Sequence, residues 1–356
     1  NTKVGVECYE KLKNKGPTGA SLVNPYSTGI TYQLIPKSPV DGVPILSMGY
    51  GRTSAADGRV FKWVFNFPMT YWSQASAFIK YVSRQVGGYD KLQGKKIVHV
   101  YHNSAYGKEA NPTLVALEKR YGYKLTLLAV DHPGQEQKAT WLQIRRLKPD
   151  WIFMSGWGVM NSVAIKEAAA INYPMDHFVG NWWSGTDADV IPAGKGAVGY
   201  KSTTFHGAGI DFKLHEDIVK YVYGGDKAKA LSNNMGEVLY NRGMVNAMFG
   251  VEAIRTAMNK YGNKSMTGEQ VRWGLENLNV DNARLKALGM EGFTRGVKVS
   301  CADHETGGSL RIQQWNGSKW SYVSKWLSPM RDIVRPMIEK DAANFAKENN
   351  ITPRSC

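Results

Sequence analysis

The segment "NPYSTGITYQLIPKSPVDGVPILSMGYG", from Asn24 to Gly51, contains two polar turns that each follow a short apolar run. A short apolar run ends in a hydroxyl-rich turn that starts at Tyr26, and the sequence predicts a helix after this turn. About twenty residues later a second apolar run ends in the small, polar turn Ser47 to Gly51. In an open α/β sheet, ligands bind beyond the carboxyl ends of the strands. Two successive strand ends that carry hydroxyls, rings and glycines therefore predict a ligand site at one sheet edge.

The same alternation of strand and helix continues along the chain. Strand-like runs are rich in β-branched and aromatic residues, and we place them at 20–24, 45–48, 62–67, 96–101, 125–130, 151–155, 178–181 and 201–205. The segments between them repeat apolar residues at helical spacing. Strands that alternate with helices predict parallel sheets with right-handed crossovers, so the fold class is α/β.

The pattern changes after about residue 205. A helical block follows, in which Thr267 and Gln270 predict a capping box at the start of one helix. Two strand-like runs joined by Asn316-Gly317 predict a β-hairpin, and a final amphipathic helix is expected from about 330 to 348.

Length and composition favour an ordinary two-domain globular protein. The chain has 356 residues, of which 43% are apolar and 21% are charged, and no apolar run approaches the roughly 20 residues of a membrane span. The formal charge of +15 raises the question of nucleic acid, which predicts clustered basic residues with interleaved aromatic residues. Here the basic residues are spread over the whole chain, and the densest groups fall on solvated helix or loop positions. We therefore expect no nucleic-acid partner and favour a small anionic ligand that the positive field attracts.

Motifs for catalysis, cofactors and metals are missing. The sequence lacks GxxxxGK[ST], GxGxxG, HExxH, GxSxG and a paired-cysteine zinc motif, and Asp187 with Asp189 makes only a weak metal site. We expect no cofactor, no metal and no catalytic residue, although an α/β enzyme with an unfamiliar site remains an alternative.

The three cysteines allow two readings. Cys301 and Cys356 could pair and hold the C-terminal tail, which would indicate an oxidising compartment, and Cys8 would then be left over. Three buried free thiols are equally compatible with the sequence.

Aromatic rings and small donors collect just past the predicted strands, which suits a small, flat or apolar ligand with an anionic end. The residues in question are Tyr26, Ser27, Thr28, Gly49, Tyr50, Gly51, Tyr71, Tyr106, Trp157 and Trp182. Other readings stay open, since Ser27 and Thr28 could cap a helix and Trp182 and Trp183 could pack between domains.

Six segments in order carry a resemblance to a known family. They are "NPYSTG…VPILSMGYG", "FKWVFNFPMTYWSQASAFIKYV", "KKIVHVYHNSAYGKEA", "DWIFMSGWG", "HFVGNWW" and "EVLYNRGMVNAMFGVEAI". The chain resembles the periplasmic solute-binding proteins of ABC importers, of the branched-chain amino acid (Leu/Ile/Val) type. The resemblance implies two doubly wound parallel-sheet lobes joined by three crossings, with the ligand in a cleft that closes by a hinge. It also implies a periplasmic monomer that serves an ABC permease.

The resemblance suggests a division of the chain into lobes. Residues 1–92 and 206–300 would form lobe one, and residues 93–205 and 301–356 would form lobe two with the C-terminal helix. Family members open with a βαβ unit that includes the central strand of lobe one, and this unit has no counterpart in the sequence. We expect the chain to be incomplete there, and a partner for Cys8 to lie in the missing part.

The resemblance also assigns roles to single residues. Ser27 and the Gly49–Gly51 turn match positions that hold a ligand carboxylate, Tyr106 matches a lobe-two aromatic residue, and Trp157 falls in the family's glycine-rich loop. Tyr240 lies where a cleft residue is expected after the second crossing.

One departure from the family pattern concerns the ligand. Amino-acid binders have a glutamate that pairs with the substrate ammonium, and Trp182 occupies that position here. Because an unpaired ammonium in a dry cleft is costly, we expect an aromatic or otherwise apolar carboxylate rather than leucine, isoleucine or valine. A branched-chain amino acid binder and a ligand-sensing regulator of the amide or urea type on the same fold are the alternatives.

Overall fold

A seven-stranded sheet forms the larger lobe in the computed structural model, which describes residues 1–356. The strands of the protein are β1 Ile45–Leu46, β2 Val64–Phe65, β3 Lys96–His102, β4 Lys124–Val130, β5 Trp151–Ser155, β6 Phe178–Gly180, β7 Lys201–Thr204, β8 Asn279–Val280, β9 Val297–Lys298, β10 Arg311–Trp315 and β11 Trp320–Tyr322. The large sheet has the order β11-β10-β7-β6-β5-β3-β4. Strands β3 to β7 are parallel, while β10 and β11 form the antiparallel hairpin that Asn316-Gly317 predicted.

The strand order places a switch point between β3 and β5. The chain proceeds from β3 outward to β4 on one side and to β5, β6 and β7 on the other. All five residues of β5 are buried, as expected for a parallel strand that is covered on both faces. Loops that follow two strands on either side of such a point leave a crevice between them, where ligands bind.

Helices cover this sheet and build most of the smaller lobe. They are α1 Thr2–Leu12, α2 Thr28–Leu34, α3 Ser38–Asp41, α4 Tyr71–Val86, α5 Ala105–Lys108, α6 Asn111–Tyr121, α7 Lys138–Leu147, α8 Val159–Ala170, α9 Asp187–Val190, α10 Lys213–Tyr221, α11 Lys227–Ser232, α12 Val238–Tyr261, α13 Gly268–Glu276, α14 Asn282–Ala287 and α15 Arg331–Glu348. No helix is both long and apolar enough to cross a membrane.

The smaller lobe, lobe one, contains the parallel pair β1 and β2 and the antiparallel pair β8 and β9. The strand predicted at 20–24 is reduced to a single bridge between Val23 and Ile45. The other predicted strands occur in place, and the capping box of Thr267 and Gln270 starts α13.

Helix packing differs from the expected division of the chain. Phe78 of α4 stacks on Phe153 of β5 at 4.6 Å, so α4 packs on the large sheet although the expected boundary at residue 92 puts it in lobe one. On α15, Val334 and Ile338 pack with Ala56, beside β1 and β2. These contacts favour a first boundary before α4, and they favour packing of α15 against lobe one, because each helix buries its apolar face there.

Three crossings join the lobes, near residues 66–70, 205–207 and 305–308. The first and third are tied together, since Glu305 Oε1 accepts from the backbone N–H of Thr70 at 2.9 Å and from its hydroxyl at 2.8 Å. At the second crossing the Gly207 N–H donates to the Phe293 carbonyl at 2.7 Å.

The cysteines follow the first of the two readings. A disulfide joins Cys301 to Cys356 and ties the C-terminal tail to the segment before the third crossing. Cys8 is a free, exposed thiol in this structure rather than a buried one.

Candidate ligand-binding site

A cavity of about 490 Å³ opens between the lobes at the switch point of the large sheet. Aromatic, hydroxyl and small side chains line it, and the lining contains no acidic residue, no lysine and no arginine. The lining residues are Asn1, Thr2, Tyr26, Ser27, Thr28, Gly29, Ile30, Tyr50, Tyr71, His102, Ser104, Ala105, Tyr106, Trp157 and Trp183. Six rings and a set of hydroxyls therefore meet in one space.

The lobe-one wall begins at the N-terminus of α2. Ser27 is the N-cap of this helix, and its hydroxyl accepts from the Ile30 N–H at 3.4 Å, so the capping reading of Ser27 is correct. Thr28 is buried, and its hydroxyl has no hydrogen-bond partner within the protein. Because the first N–H groups of a helix have no partner inside it, this wall offers several donors to an acceptor in the cavity.

Tyr50 forms the part of the cavity wall that lies between the two lobes. Its ring lies 4.4 Å from that of Trp183 and 5.9 Å from that of Tyr26, between centroids. The side chain is 1% exposed and its hydroxyl has no partner, while burial raises the pKa of Tyr50 well above the ordinary tyrosine value. Tyr50 is therefore a neutral donor held at the wall.

The lobe-two wall is fixed by hydrogen bonds. The Tyr106 hydroxyl donates to the Gly156 carbonyl at 2.8 Å and accepts from Asn181 Nδ2 at 2.7 Å. The Tyr71 hydroxyl accepts from Trp183 Nε1 at 3.0 Å. Both tyrosines are thereby held in one orientation, which pre-organises this side of the cavity.

Trp157 forms the outer rim of the cavity. It follows β5, its side chain is 49% exposed, and its ring meets that of Trp183 edge-on at 4.9 Å. A half-exposed tryptophan beside a buried one gives a ligand an apolar face that is already partly open to solvent.

Four expected site residues do not line the cavity. Trp182 is fully buried, stacked on Tyr71 at 5.2 Å, and the neighbouring Trp183 takes the wall position instead. Tyr240 on α12 is half-buried outside the cavity. The remaining two are glycines of the turn after β1.

Gly49 and Gly51 shape that turn. Gly49 has φ +80°, and a Cβ there would lie 2.0 Å from the Met69 carbonyl oxygen. A Cβ on Gly51 would lie 2.6 Å from Thr31. The two glycines thus allow close packing and bring Tyr50 to the wall, rather than contacting the cavity themselves.

Sequence reasoning missed Arg242, which lies behind the wall. This arginine of α12 is 1% exposed, and its guanidinium carbon lies 4.8 Å from the centroid of the Trp183 ring. A sequence signal existed, because Arg242 interrupts an apolar stripe formed by Val238, Val245 and Phe249 at helical spacing.

The acidic residues near the site serve structural roles. Asp189 completes the cap of α9 by accepting from the Thr186 N–H at 2.8 Å, and it accepts from Asn161 at 3.0 Å. Asp187 accepts from the Val238 N–H at 3.4 Å. No group of three His, Cys, Asp or Glu side chains is arranged to hold a metal ion.

Comparison with known proteins identifies the family. The family model described as "Periplasmic binding protein" matches residues 1–319. No curated protein sequence matches the chain. A structure from the Pseudomonas fluorescens group, described as an ABC transporter permease, is 43% identical, with a TM-score of 0.93 over 100% of this chain and 86% of that one.

Two more distant structures share the fold. A branched-chain amino acid ABC transporter protein from Thermus thermophilus with bound valine is 19% identical, with a TM-score of 0.73 over 94% of this chain and 85% of that one. A solute-binding protein from R. palustris in complex with benzoate is 16% identical, with a TM-score of 0.66 over 92% and 81% of the two chains.

Family, fold and cavity agree with one another. The two lobes and the cavity between them are those of a type I periplasmic binding protein, a class that binds solutes without transforming them and delivers them to ABC permeases. The chain therefore belongs to the periplasmic binding protein family, as a substrate-binding protein of an ABC transporter.

Proposed function

We propose that this substrate-binding protein takes an aromatic or otherwise apolar carboxylate into the cleft and presents it to its permease. One observation carries the proposal: six aromatic rings and several hydroxyls line the cavity, and no acidic side chain does. Such a lining suits an apolar body with an anionic end.

The two ends of the ligand would meet different walls. The apolar body packs between the rigid rings of Trp157, Trp183 and Tyr106. Of these three residues, only Trp157 is half-exposed. The carboxylate lies at the lobe-one wall, where the hydroxyls of Thr28 and Tyr50 have no partner within the protein. A carboxylate that accepts such hydrogen bonds is well compensated when water leaves the cleft.

An α-amino acid fits this lining poorly. Its ammonium would need a carboxylate, but none lines the cavity, and the buried Asp189 is already bonded to Thr186 and Asn161. An uncompensated charge in a desolvated site costs several kcal/mol, on the order of 3–5.

Ligands of related proteins are consistent with an anionic end. The structures from R. palustris and Thermus thermophilus hold benzoate and valine, and a relative from Thermomonospora curvata is described as a fatty acid transporter protein. All three ligand types carry a carboxylate, and two of them lack an amino group.

Compartment and assembly belong to the same proposal. The Cys301–Cys356 disulfide is typical of a protein that works in an oxidising space, here the periplasm. We propose that the chain acts there as a monomer.

A thermal-unfolding panel tests the proposed ligand class. Benzoate, phenylacetate and octanoate are compared with leucine, isoleucine and valine. A ligand at a hundred times its dissociation constant should add about 2.7 kcal/mol of stability. We expect stabilisation by at least one of the three acids and none by the amino acids. Stabilisation by leucine alone would refute the proposal.

A further inference from the structure

Arg242 is a buried arginine without an ionic partner. Its side chain is 1% exposed, and neither Nη1 nor Nη2 has a hydrogen-bond partner within the protein. Arg272 shows what a compensated buried arginine looks like here, because it contacts Glu269 at 2.9 Å and Glu276 at 2.7 Å. No carboxylate lies within 4.0 Å of Arg242 in this structure.

The single hydrogen bond of Arg242 does not neutralise it. Nε donates to His206 Nε2 at 3.2 Å, and His206 Nδ1 lies 2.9 Å from the Gly207 carbonyl, to which it donates. The Nε2 atom of His206 is thus the acceptor for Arg242, and the imidazole ring is neutral. Burial, and next the charge of Arg242, lower the pKa of His206 to about 3. The guanidinium therefore has no ion-pair partner in direct contact, and only the faces of Trp183 and Phe205 and the more distant carboxylate of Asp189 offset its charge. A buried charge without a contacting partner is costly.

The charge lies directly behind the part of the cavity wall that Trp183 and Tyr50 form. Its guanidinium carbon is 4.8 Å from the centroid of the Trp183 ring, and Trp183 and Tyr50 both line the cavity. One helical turn later Asn246 donates to the Tyr26 hydroxyl at 2.5 Å, so this face of α12 supports that wall. The charge of Arg242 acts on the cavity wall, because it favours the ionised form of the Tyr50 hydroxyl and so partly opposes the rise of the Tyr50 pKa that burial causes.

We propose that Arg242 is a specificity-determining residue: from behind the Tyr50–Trp183 wall its charge selects an anionic ligand over the neutral molecule of the same shape. The inference rests on the proposed function and specifies it further, since it names the charge that the cleft recognises. The ligand's carboxylate accepts from Tyr50 and Thr28, and Arg242 supplies the opposite charge from behind Tyr50. Burial keeps this attraction strong, because little water screens it.

Titration calorimetry with matched pairs of ligands tests the inference. The probes are benzoate, phenylacetate and octanoate, each compared with its primary amide. The proteins are wild type, Arg242→Met, Arg242→Lys and the control Arg255→Gln, which removes a positive charge from the exposed face of the same helix. We expect wild type and the control to prefer one acid over its amide by about 10- to 100-fold, as for a hydrogen-bonded charge. Arg242→Met should lose that preference, and Arg242→Lys should keep most of it.

Unfolding without ligand separates specificity from structure. Removing a buried charge that has no contacting ionic partner should leave Arg242→Met at least as resistant to urea as wild type. If Arg242→Met fails to fold, Arg242→Gln gives the same comparison.

Each outcome has one meaning. Acid preference that persists in the folded neutral variants overturns the role of Arg242 and leaves the proposed function standing. If no carboxylate binds wild type, the proposed function fails and this inference fails with it. Loss of preference in Arg242→Met with rescue by Arg242→Lys supports both.

Discussion

The tryptophans at this site have different roles. Trp182 is fully buried between Tyr71 and Phe205, whereas Trp157 is 49% exposed at the rim of the cavity. A buried tryptophan contributes to the core, and an exposed one can contribute to ligand contact without affecting stability.

Truncating these two residues should give opposite effects. Trp182→Ala should lower the free energy of unfolding by about 3–5 kcal/mol. Trp157→Ala should change it by less than about 0.5 kcal/mol but weaken binding of the preferred acid by roughly 0.5–1.5 kcal/mol, the value of a lost aromatic contact. Urea unfolding and titration calorimetry measure both, with the exposed Tyr221→Ala as control. A larger loss of stability for Trp157→Ala than for Trp182→Ala would contradict this assignment.

Asp189 gives a prediction for pH. Burial raises the pKa of this carboxyl to about 6, above the ordinary aspartate value of about 3.9 in the unfolded chain. The folded protein therefore holds this proton more tightly, so the stability that it contributes is full below pH ~3.9 and is lost as the pH rises through about 6. A difference of about two units between the folded and unfolded pKa corresponds to about 3 kcal/mol of stability.

The measurement compares wild type with Asp189→Asn in urea at pH 4 and pH 7. The stability of wild type relative to the variant should fall by up to about 3 kcal/mol between these pH values. The exposed Asp90→Asn serves as the control for removal of a surface carboxylate. Parallel pH profiles for wild type and Asp189→Asn would be inconsistent with a raised pKa.

At the scale of elements, the helix caps and the hairpin could be read from the sequence. Thr267 accepts from the Gln270 N–H at 3.3 Å, and the Gln270 side chain accepts from the Thr267 N–H at 2.9 Å. Both bonds depend on residues only three positions apart, so local sequence is sufficient to predict them.

Removing this cap should weaken α13 by a known amount. Thr267→Ala loses the hydroxyl acceptor and should lower the free energy of unfolding by about 1 kcal/mol, while Thr267→Ser should stay close to wild type. Urea unfolding of the three proteins checks this. Equal stability of Thr267→Ala and wild type would show that the capping box contributes nothing here.

Other features depend on long-range contacts and could not be predicted from the sequence. Tyr240 and Arg242 are two residues apart on α12, so they point about 200° apart, and only tertiary packing decides which one lies behind the cavity wall. Tertiary packing in the turn after β6 likewise decides that Trp183, and not the expected Trp182, lines the cavity. The run at 20–24 has strand composition, but it pairs only through Val23.

At the scale of the whole molecule, the lobes are held together by buried polar contacts as well as by the crossings. Glu109 of lobe two accepts from the hydroxyl of Tyr32 and, at 2.8 Å, from the hydroxyl of Thr53, both in lobe one. The order of strands and helices made the two-lobed fold predictable, because the hydrophobic periodicity of each element is a local property of the sequence. The contacts between the lobes were not predictable, since they join residues more than fifty positions apart.

The most direct measurement is a crystal structure of the protein grown with benzoate. We expect the benzoate ring in van der Waals contact with Trp157 and Trp183, at about 4 Å, and its carboxylate within hydrogen-bond distance of the Thr28 or Tyr50 hydroxyl. Benzoate bound only outside the cleft, or bound there with its carboxylate turned toward Trp157, would contradict the account.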